Sequence, residues 1–200
     1  MYEEEMRVQT ADGEMTTFVT HPDSPGPFPV AVLYMDGIGY REQVKQNARR
    51  FAADGYYCVA PDLFYRSGEK LSFDPSQLGD EGLRERLMSI VRGLRPEMVR
   101  SDTEAIFAAI ADDPTAWSGP KVSVGYCMGA RFAMHAAALT DEFAATAGIH
   151  PAHLSPMSPT RRTTNSPRSA ARSTSLSPRT TNRQLPRSSS ASAKSSSGRE

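Results

Sequence analysis

Short apolar runs alternate with amphipathic stretches along the first three quarters of the chain. Residues 29–35 form a near-continuous apolar run, which is typical of a strand buried on both faces of a parallel sheet. Residues 41–54 place Val44 and Ala48 on one side of a helix, and Gly55 follows as a stop signal. Strands that alternate with helices favour a doubly wound, mostly parallel α/β sheet. Further strands are predicted at 56–60, 121–124 and 143–149, and further helices at about 80–94, 97–111 and 130–139.

An N-terminal hairpin is predicted before the first of these strands. Residues 6–10 and 15–20 are strand-like segments separated by Ala11-Asp12-Gly13-Glu14. A short turn that contains Asp-Gly between two such segments favours an antiparallel hairpin. We expect this hairpin at the edge of the sheet.

The segment Gly125-Tyr126-Cys127-Met128-Gly129 carries the clearest chemical signal in the chain. It lies between a predicted strand and a predicted helix, which is the layout of a nucleophile elbow with Cys127 as the nucleophile. The glycines leave room for close packing around a strained central residue. The helix N-terminus favours a thiolate and, later in a reaction, an oxyanion. The alternative is that Cys127 is a buried structural cysteine beside two packing glycines.

Three segments together resemble the dienelactone hydrolase family, a branch of the α/β-hydrolases that uses a cysteine nucleophile. They are Met35-Asp36-Gly37-Ile38-Gly39, the segment from Gly55 to Phe64, and the elbow at 125–129, and the similarity covers roughly residues 5–154. The resemblance implies hydrolysis of lactones or small esters through an acyl-enzyme on Cys127. It also implies an oxyanion hole formed by the backbone N–H groups of Met128 and Gly37. We expect no cofactor.

Asp36 occupies the position at which the family's archetype has a glutamate that hydrogen-bonds the resting thiol. The resemblance therefore makes Asp36 a candidate catalytic residue beside Cys127. The aspartate side chain is one methylene shorter than that of glutamate. The alternative is that Asp36 caps the turn that follows the strand.

The family's triad also requires an Asp after a later strand and a His near the C-terminus, and the sequence offers neither in a matching context. His150 and His153 follow the last predicted strand, at the sheet edge where ligands bind, so His150 is a candidate substitute base. The two histidines have no carboxylate or thiol cluster nearby, and we predict no metal site. His21 is predicted to be solvated in a Pro- and Asp-containing loop.

Arginines near the pocket are candidates for pairing with an anionic substrate, since a guanidinium binds a carboxylate with two hydrogen bonds. Arg84 and Arg86 lie in the segment that corresponds to such residues in the family. Arg66 and Arg131 are further candidates. The alternative for Arg84 and Arg86 is a solvated helix face shared with Glu85.

The composition changes abruptly after Leu154. Residues 155–200 contain no aromatic residue, nine basic residues and one acidic residue, so this segment has a net charge of +8 and residues 1–154 have a net charge of −8. We therefore predict a partial α/β-hydrolase domain at 1–154 and a disordered basic tail rich in Ser, Arg and Pro at 155–200. Our hypothesis is that the reading frame is lost near Leu154. The alternative is a selected basic tail, although the scattered arginines and the lack of aromatics do not favour nucleic-acid binding.

No apolar run reaches the length of a membrane span, and Met1-Tyr2-Glu3-Glu4-Glu5 does not resemble a signal peptide. Two cysteines without a disulfide framework favour a reducing, cytoplasmic setting.

Two function classes remain open. The first is a cysteine-dependent hydrolase of lactones or small esters, impaired by loss of the catalytic Asp and His. The second is a catalytically inactive α/β-hydrolase remnant whose basic tail binds other macromolecules.

Overall fold

The computed structural model describes residues 1–151, which form a six-stranded sheet flanked by four helices. The strands are β1 (Tyr2–Thr10), β2 (Gly13–His21), β3 (Val30–Tyr34), β4 (Tyr57–Pro61), β5 (Lys121–Tyr126) and β6 (Phe143–Ile149). The helices are α1 (Glu42–Ala53), α2 (Glu81–Gly93), α3 (Pro96–Ala109) and α4 (Met128–Leu139), with a short 3₁₀ turn at Pro75–Gln77. The predicted tail at 155–200 lies outside the described residues.

The strands follow the order β1-β2-β4-β3-β5-β6 across the sheet. The hairpin β1–β2 is antiparallel and pairs antiparallel with β4, whereas β4, β3, β5 and β6 run parallel to one another. The predicted α/β class and the hairpin at the sheet edge are therefore confirmed. Parallel strands need long crossovers, and the four helices lie on those connections.

The centre of the sheet is apolar on both faces because helices cover both sides. All five residues of β3 and all five of β4 are buried. Helix α1 buries Val44, Ala48 and Ala52, and α4 buries Phe132 among other residues. Fully burying a side chain such as Val44 or Phe132 stabilises the fold by about 1.5–3 kcal/mol. The near-continuous apolar runs in the sequence are the direct consequence of this two-sided burial.

Helix α2 lies at the periphery and is anchored by few side chains. Asp80 caps it, with a carboxylate oxygen that accepts a hydrogen bond from the Leu83 N–H at 2.8 Å. Leu87 is its buried residue, and Val91 packs against the core from one turn further on.

Among the described helices, none is long and apolar enough to cross a membrane.

The structure corrects the expectation that His21 is solvated. His21 is the last residue of β2 and is only 8% exposed. Its ring stacks on Tyr2 and Tyr57, with centroid distances of 4.6 Å and 5.3 Å. The cause is the register of the hairpin, which pairs Tyr2 with His21 and extends β2 into the segment that the sequence suggested was a loop.

Candidate active site

Cys127 occupies the single position between the end of β5 and the start of α4. Its backbone adopts φ 51° and ψ −110°, a conformation that side-chain-bearing residues rarely adopt. Such a conformation costs on the order of 1–3 kcal/mol and is kept only where the surrounding structure enforces it. The residue is partly exposed. The predicted strand, one-residue turn and helix are therefore in place.

Gly125 and Gly129 are required by the close approach of α4 to the sheet. A Cβ atom on Gly125 would overlap the carbonyl oxygen of Gly129, and a Cβ on Gly129 would overlap the carbonyl oxygens of Tyr34 and Met35. The first turn of α4 thus lies directly on the end of β3. This packing holds Cys127 at the carboxyl edge of the sheet.

Cys58 has the properties expected of a purely structural cysteine. It lies in β4, is fully buried, and its burial raises the pKa of the thiol. Cys127 differs from it in being partly exposed at a helix N-terminus. Within residues 1–151, no cluster of three or more His, Cys, Asp or Glu side chains is arranged to hold a metal ion.

The backbone of Gly37 lies beside the first residue of α4. A Cβ built on Gly37 would lie 3.9 Å from Cβ of Met128 and 3.8 Å from Cγ2 of Val91. Neither the Gly37 N–H nor the Met128 N–H donates a hydrogen bond to a backbone carbonyl of residues 1–151 outside the regular ladders. The first N–H groups of a helix have no partner within the helix. The backbone segments of Gly37 and Met128 are therefore neighbours, and Met128 directly follows Cys127.

Asp36 directs its carboxylate into its own loop. Oδ1 accepts a hydrogen bond from the Ile38 N–H at 3.0 Å, which is the turn-capping arrangement. Arg41 donates to both carboxylate oxygens, at 2.7 Å and 2.8 Å. Among the described residues, no hydrogen bond joins Asp36 to Cys127, so the contact with the thiol stays a prediction.

His150 stands next to Cys127 at the edge of the sheet. Tyr126 of β5 pairs with Ile149 of β6, and the Cys127 N–H donates to the Ile149 carbonyl at 2.9 Å. His150 follows directly, with φ 50° and an exposed side chain. His135 lies elsewhere on α4, where partial burial and the nearby Arg131 lower the pKa of its imidazole. His153 lies beyond the part of the chain that the structure describes.

The candidate arginines are dispersed. Arg84 and Arg86 are exposed on the N-terminal half of α2, and the Arg84 guanidinium lies 3.5 Å from Glu81. Arg66 donates two hydrogen bonds of 2.8 Å to the buried carboxylate of Asp102. In this structure Arg84 and Arg86 therefore lie on a solvated helix face, and their pairing with a substrate stays a prediction.

Sequence reasoning missed two residues that surround the 36–39 loop. The first is Arg41, which pairs with Asp36. Its position five residues after Asp36, at the start of a helix, was the sequence signal for this pairing. Val91 is the second, since the pattern of α2 marks it as apolar but does not say that it lies against Gly37.

The chain is similar to proteins of a known family. The model of the dienelactone hydrolase family matches residues 15–173. A carboxymethylenebutenolidase of Pseudomonas sp. (strain P51) is 30% identical over 113 residues, covering 56% of this chain and 46% of the relative. A carboxymethylenebutenolidase of Pseudomonas putida is 28% identical over 139 residues, covering 69% of this chain and 57% of the relative. The chain thus spans about half the length of these curated relatives.

A solved structure shares the fold at low identity. The dienelactone hydrolase-like promiscuous phosphotriesterase P91, from metagenomic libraries, superposes with a TM-score of 0.61 at 20% identity, covering 79% of this chain and 63% of that one. The match to the family model extends over most of the chain, and the elbow and the 36–39 loop lie within it. The chain belongs to the dienelactone hydrolase family.

Proposed function

We propose that this chain is a hydrolase of lactones or small carboxylic esters that attacks its substrate with Cys127. The observation that carries the proposal is the placement of Cys127, strained and partly exposed, between β5 and α4 and close to the backbone of Gly37. The curated relatives named carboxymethylenebutenolidase support the same reaction class. The partner is a small molecule that enters at the carboxyl edge of the sheet.

Acylation needs a thiolate and a place for the negative charge of the intermediate. Cys127 directly precedes α4, and the partial positive charge at the N-terminus of a helix stabilises negative charge beside it. Sγ attacks the carbonyl carbon, and the π electrons of the carbonyl move to its oxygen. When the intermediate collapses, the carbonyl re-forms, the bond to the ester oxygen breaks, and that oxygen takes a proton from water. The product is a thioester on Cys127; for a lactone, the released hydroxyl stays attached to the acyl group.

The Gly37 and Met128 N–H groups would stabilise the oxyanion as backbone hydrogen-bond donors. Removing one such donor from an enzyme typically costs about 2.7–4 kcal/mol of transition-state stabilisation. Because both donors belong to the backbone, side-chain substitutions do not remove them. How well these N–H groups stabilise the oxyanion therefore depends on the geometry of the 36–39 loop and the elbow.

Deacylation requires a base that activates water. After Cys127 the sequence contains one aspartate, Asp141, and the histidines at 135, 150 and 153. Among the described histidines, none donates to or accepts from Cys127 in a hydrogen bond. General-base assistance typically contributes about 10² to 10⁴ in rate. We therefore infer that the 200-residue polypeptide forms the thioester faster than it hydrolyses it.

The test is to incubate the purified 200-residue protein with p-nitrophenyl acetate and to measure both nitrophenolate release and intact mass. We expect one acetyl group per chain, placed on Cys127 by peptide mapping, with a rapid release followed by slow turnover. Cys127→Ala should abolish the acetylation, and the matched variant Cys58→Ala should retain it. A folded protein that is not acetylated at Cys127 would refute the proposal and favour the inactive remnant.

A further inference from the structure

The loop between β3 and α1 is closed by a set of hydrogen bonds centred on Arg41. Its guanidinium donates to both carboxylate oxygens of Asp36, at 2.7 Å and 2.8 Å, and also to the Gly39 carbonyl at 3.0 Å. About three quarters of each of the two side chains is buried. A forked, charge-assisted contact of this kind fixes orientation as well as distance.

The opposite side of the same loop is fixed by backbone contacts. The Tyr40 N–H donates to the Leu71 carbonyl, and the Phe73 N–H donates to the Ile38 carbonyl, both at 2.9 Å. Gly37 lies between Asp36, which the Arg41 guanidinium holds, and Ile38, whose carbonyl accepts from Phe73, and its own N–H makes no backbone hydrogen bond within residues 1–151. The loop is therefore held on both sides of Gly37, whose N–H is left without a backbone partner in this part of the chain.

We propose that Arg41 is a positioning residue that acts through Asp36 to aim the Gly37 N–H at the oxyanion. The inference rests on the proposed function of Cys127, and it assigns Asp36 to the same task. Arg41 itself does not touch the substrate, because its fork is occupied by Asp36 and Gly39. The loop would lose its orientation without the fork, since the Ile38 N–H would then be the remaining partner of the Asp36 carboxylate.

Two reactions of Cys127 separate this role from an effect on the thiol. Acylation by p-nitrophenyl acetate passes through an oxyanion and needs the Gly37 N–H. Alkylation by iodoacetamide displaces iodide from carbon and forms no oxyanion. A variant that only misplaces the loop should slow the first reaction and leave the second unchanged.

We expect Arg41→Ala to slow acylation of Cys127 by about 10-fold or more, up to the factor of about 10²–10³ found for complete loss of one oxyanion donor. Alkylation should stay within about twofold of the wild-type rate. Arg41→Lys keeps the charge but not the fork, so it should slow acylation as well and serves if the alanine variant does not fold. Arg100→Ala is the matched control: it removes an arginine from an exposed ion pair with Glu104 and should change neither rate.

Asp36→Asn tests the second half of the assignment. The amide keeps an acceptor for the Ile38 N–H but loses the fork, so acylation should slow as in Arg41→Ala while alkylation holds. A parallel fall of alkylation in Asp36→Asn or Arg41→Ala would show that the pair acts on the thiol, and the positioning role would be wrong. Wild-type acylation rates in Arg41→Ala would also overturn it.

Hydrogen exchange of the unliganded protein gives a readout that does not depend on catalysis. The peptide spanning residues 35–41 should exchange faster in Arg41→Ala than in the wild type, with Arg100→Ala unchanged. If the wild type is not acylated at all, the proposed function and the oxyanion role both fail, and hydrogen exchange then tests only the ordering of the loop by the Arg41–Asp36 contact. Unchanged exchange in the loop would then refute it.

Discussion

The N–H of Cys127 donates a hydrogen bond to the carbonyl of Ile149 at 2.9 Å. The parallel pairing of β5 and β6 therefore continues to Cys127 itself, beyond the last regular pair Tyr126–Ile149. One consequence is that β6 supports the backbone of the elbow. Another is that the residue after Ile149 lies at the level of Cys127, although its side chain is exposed.

That residue is His150, and we predict that it does not supply the base for deacylation. Its side chain is exposed and forms no hydrogen bond with Cys127 among the described residues. His150→Ala should leave steady-state turnover of p-nitrophenyl acetate within about twofold of the wild type, because a true general base contributes about 10²–10⁴.

His135→Ala is the matched control for His150→Ala, since it removes a histidine from the body of α4. Rapid turnover by the wild-type chain that is lost in His150→Ala and kept in His135→Ala would make His150 the base. The inference of slow deacylation would then be wrong.

Much of the fold was predictable because two-sided burial leaves a direct trace in the sequence. The strand expected at 143–149 is β6 with the same bounds, and the run at 29–35 contains β3. The elbow was predictable for a different reason: Gly125 and Gly129 are forced by backbone contacts that no other residue fits.

The rest depended on contacts between distant segments. The burial of His21 follows from its pairing with Tyr2, nineteen positions earlier in the chain, and no local pattern reports that register. The pairing of Asp36 with Arg41 depends on the path of the loop. An amphipathic pattern predicted α2 but not that Val91 would lie against Gly37.

Gly129→Ala should destabilise the protein strongly. The added Cβ would overlap the carbonyl oxygens of Tyr34 and Met35, which are backbone atoms at the end of a central strand and cannot move aside. Overpacking a core site typically costs about 1–3 kcal/mol, and a clash with backbone should reach the upper end. Urea denaturation measures the change in the free energy of unfolding.

Gly93→Ala is the control for that substitution. Gly93 ends α2, and nothing lies within 4 Å of a Cβ built there. Alanine should be neutral or stabilise by up to about 1 kcal/mol, because it restricts the unfolded chain. A Gly129→Ala protein as stable as Gly93→Ala would contradict the packing of α4 on β3.

Cys127 should be alkylated faster than Cys58 near neutral pH. Cys127 is partly exposed at the N-terminus of α4, whereas Cys58 is fully buried and its burial raises the pKa of its thiol. Iodoacetamide labelling followed by peptide mass spectrometry gives the two rates. Equal, slow labelling of both cysteines in the folded protein would mean that the thiol of Cys127 is not accessible.

Stability should fall as the pH rises through the range in which Asp62 ionises. The carboxylate of Asp62 is buried after β4 and accepts hydrogen bonds from the N–H groups of Phe64 and Lys70, at 3.0 Å and 2.7 Å. Burial raises the pKa of Asp62 from 3.8 to about 6, and the two hydrogen bonds oppose this shift only in part. The folded state therefore holds the proton more tightly than the unfolded chain does.

This difference in proton binding sets the direction in which the free energy of unfolding changes and the pH range of the change. Between about pH 4 and about pH 6 the folded state binds the extra proton, so the free energy of unfolding should fall by up to about 3 kcal/mol as the pH rises. Glu5 acts in the opposite sense at lower pH, because hydrogen bonds from Lys45 and Lys70 lower the pKa of its carboxyl to about 2. Glu5 stabilises the folded state fully only above its ordinary pKa of 4.5, so its effect on stability lies at lower pH than most of the effect of Asp62.

Asp62→Asn tests the assignment, because the amide does not titrate. Urea midpoints measured at several pH values between about 4 and 7 should show the downward slope in the wild type and lose it in the variant. The amide cannot accept both backbone N–H groups as the carboxylate does, so the variant should also carry a constant destabilisation of about 1–3 kcal/mol. Asp141→Asn, at an exposed site, should keep the wild-type slope. A slope that survives in Asp62→Asn would assign the pH dependence to another group.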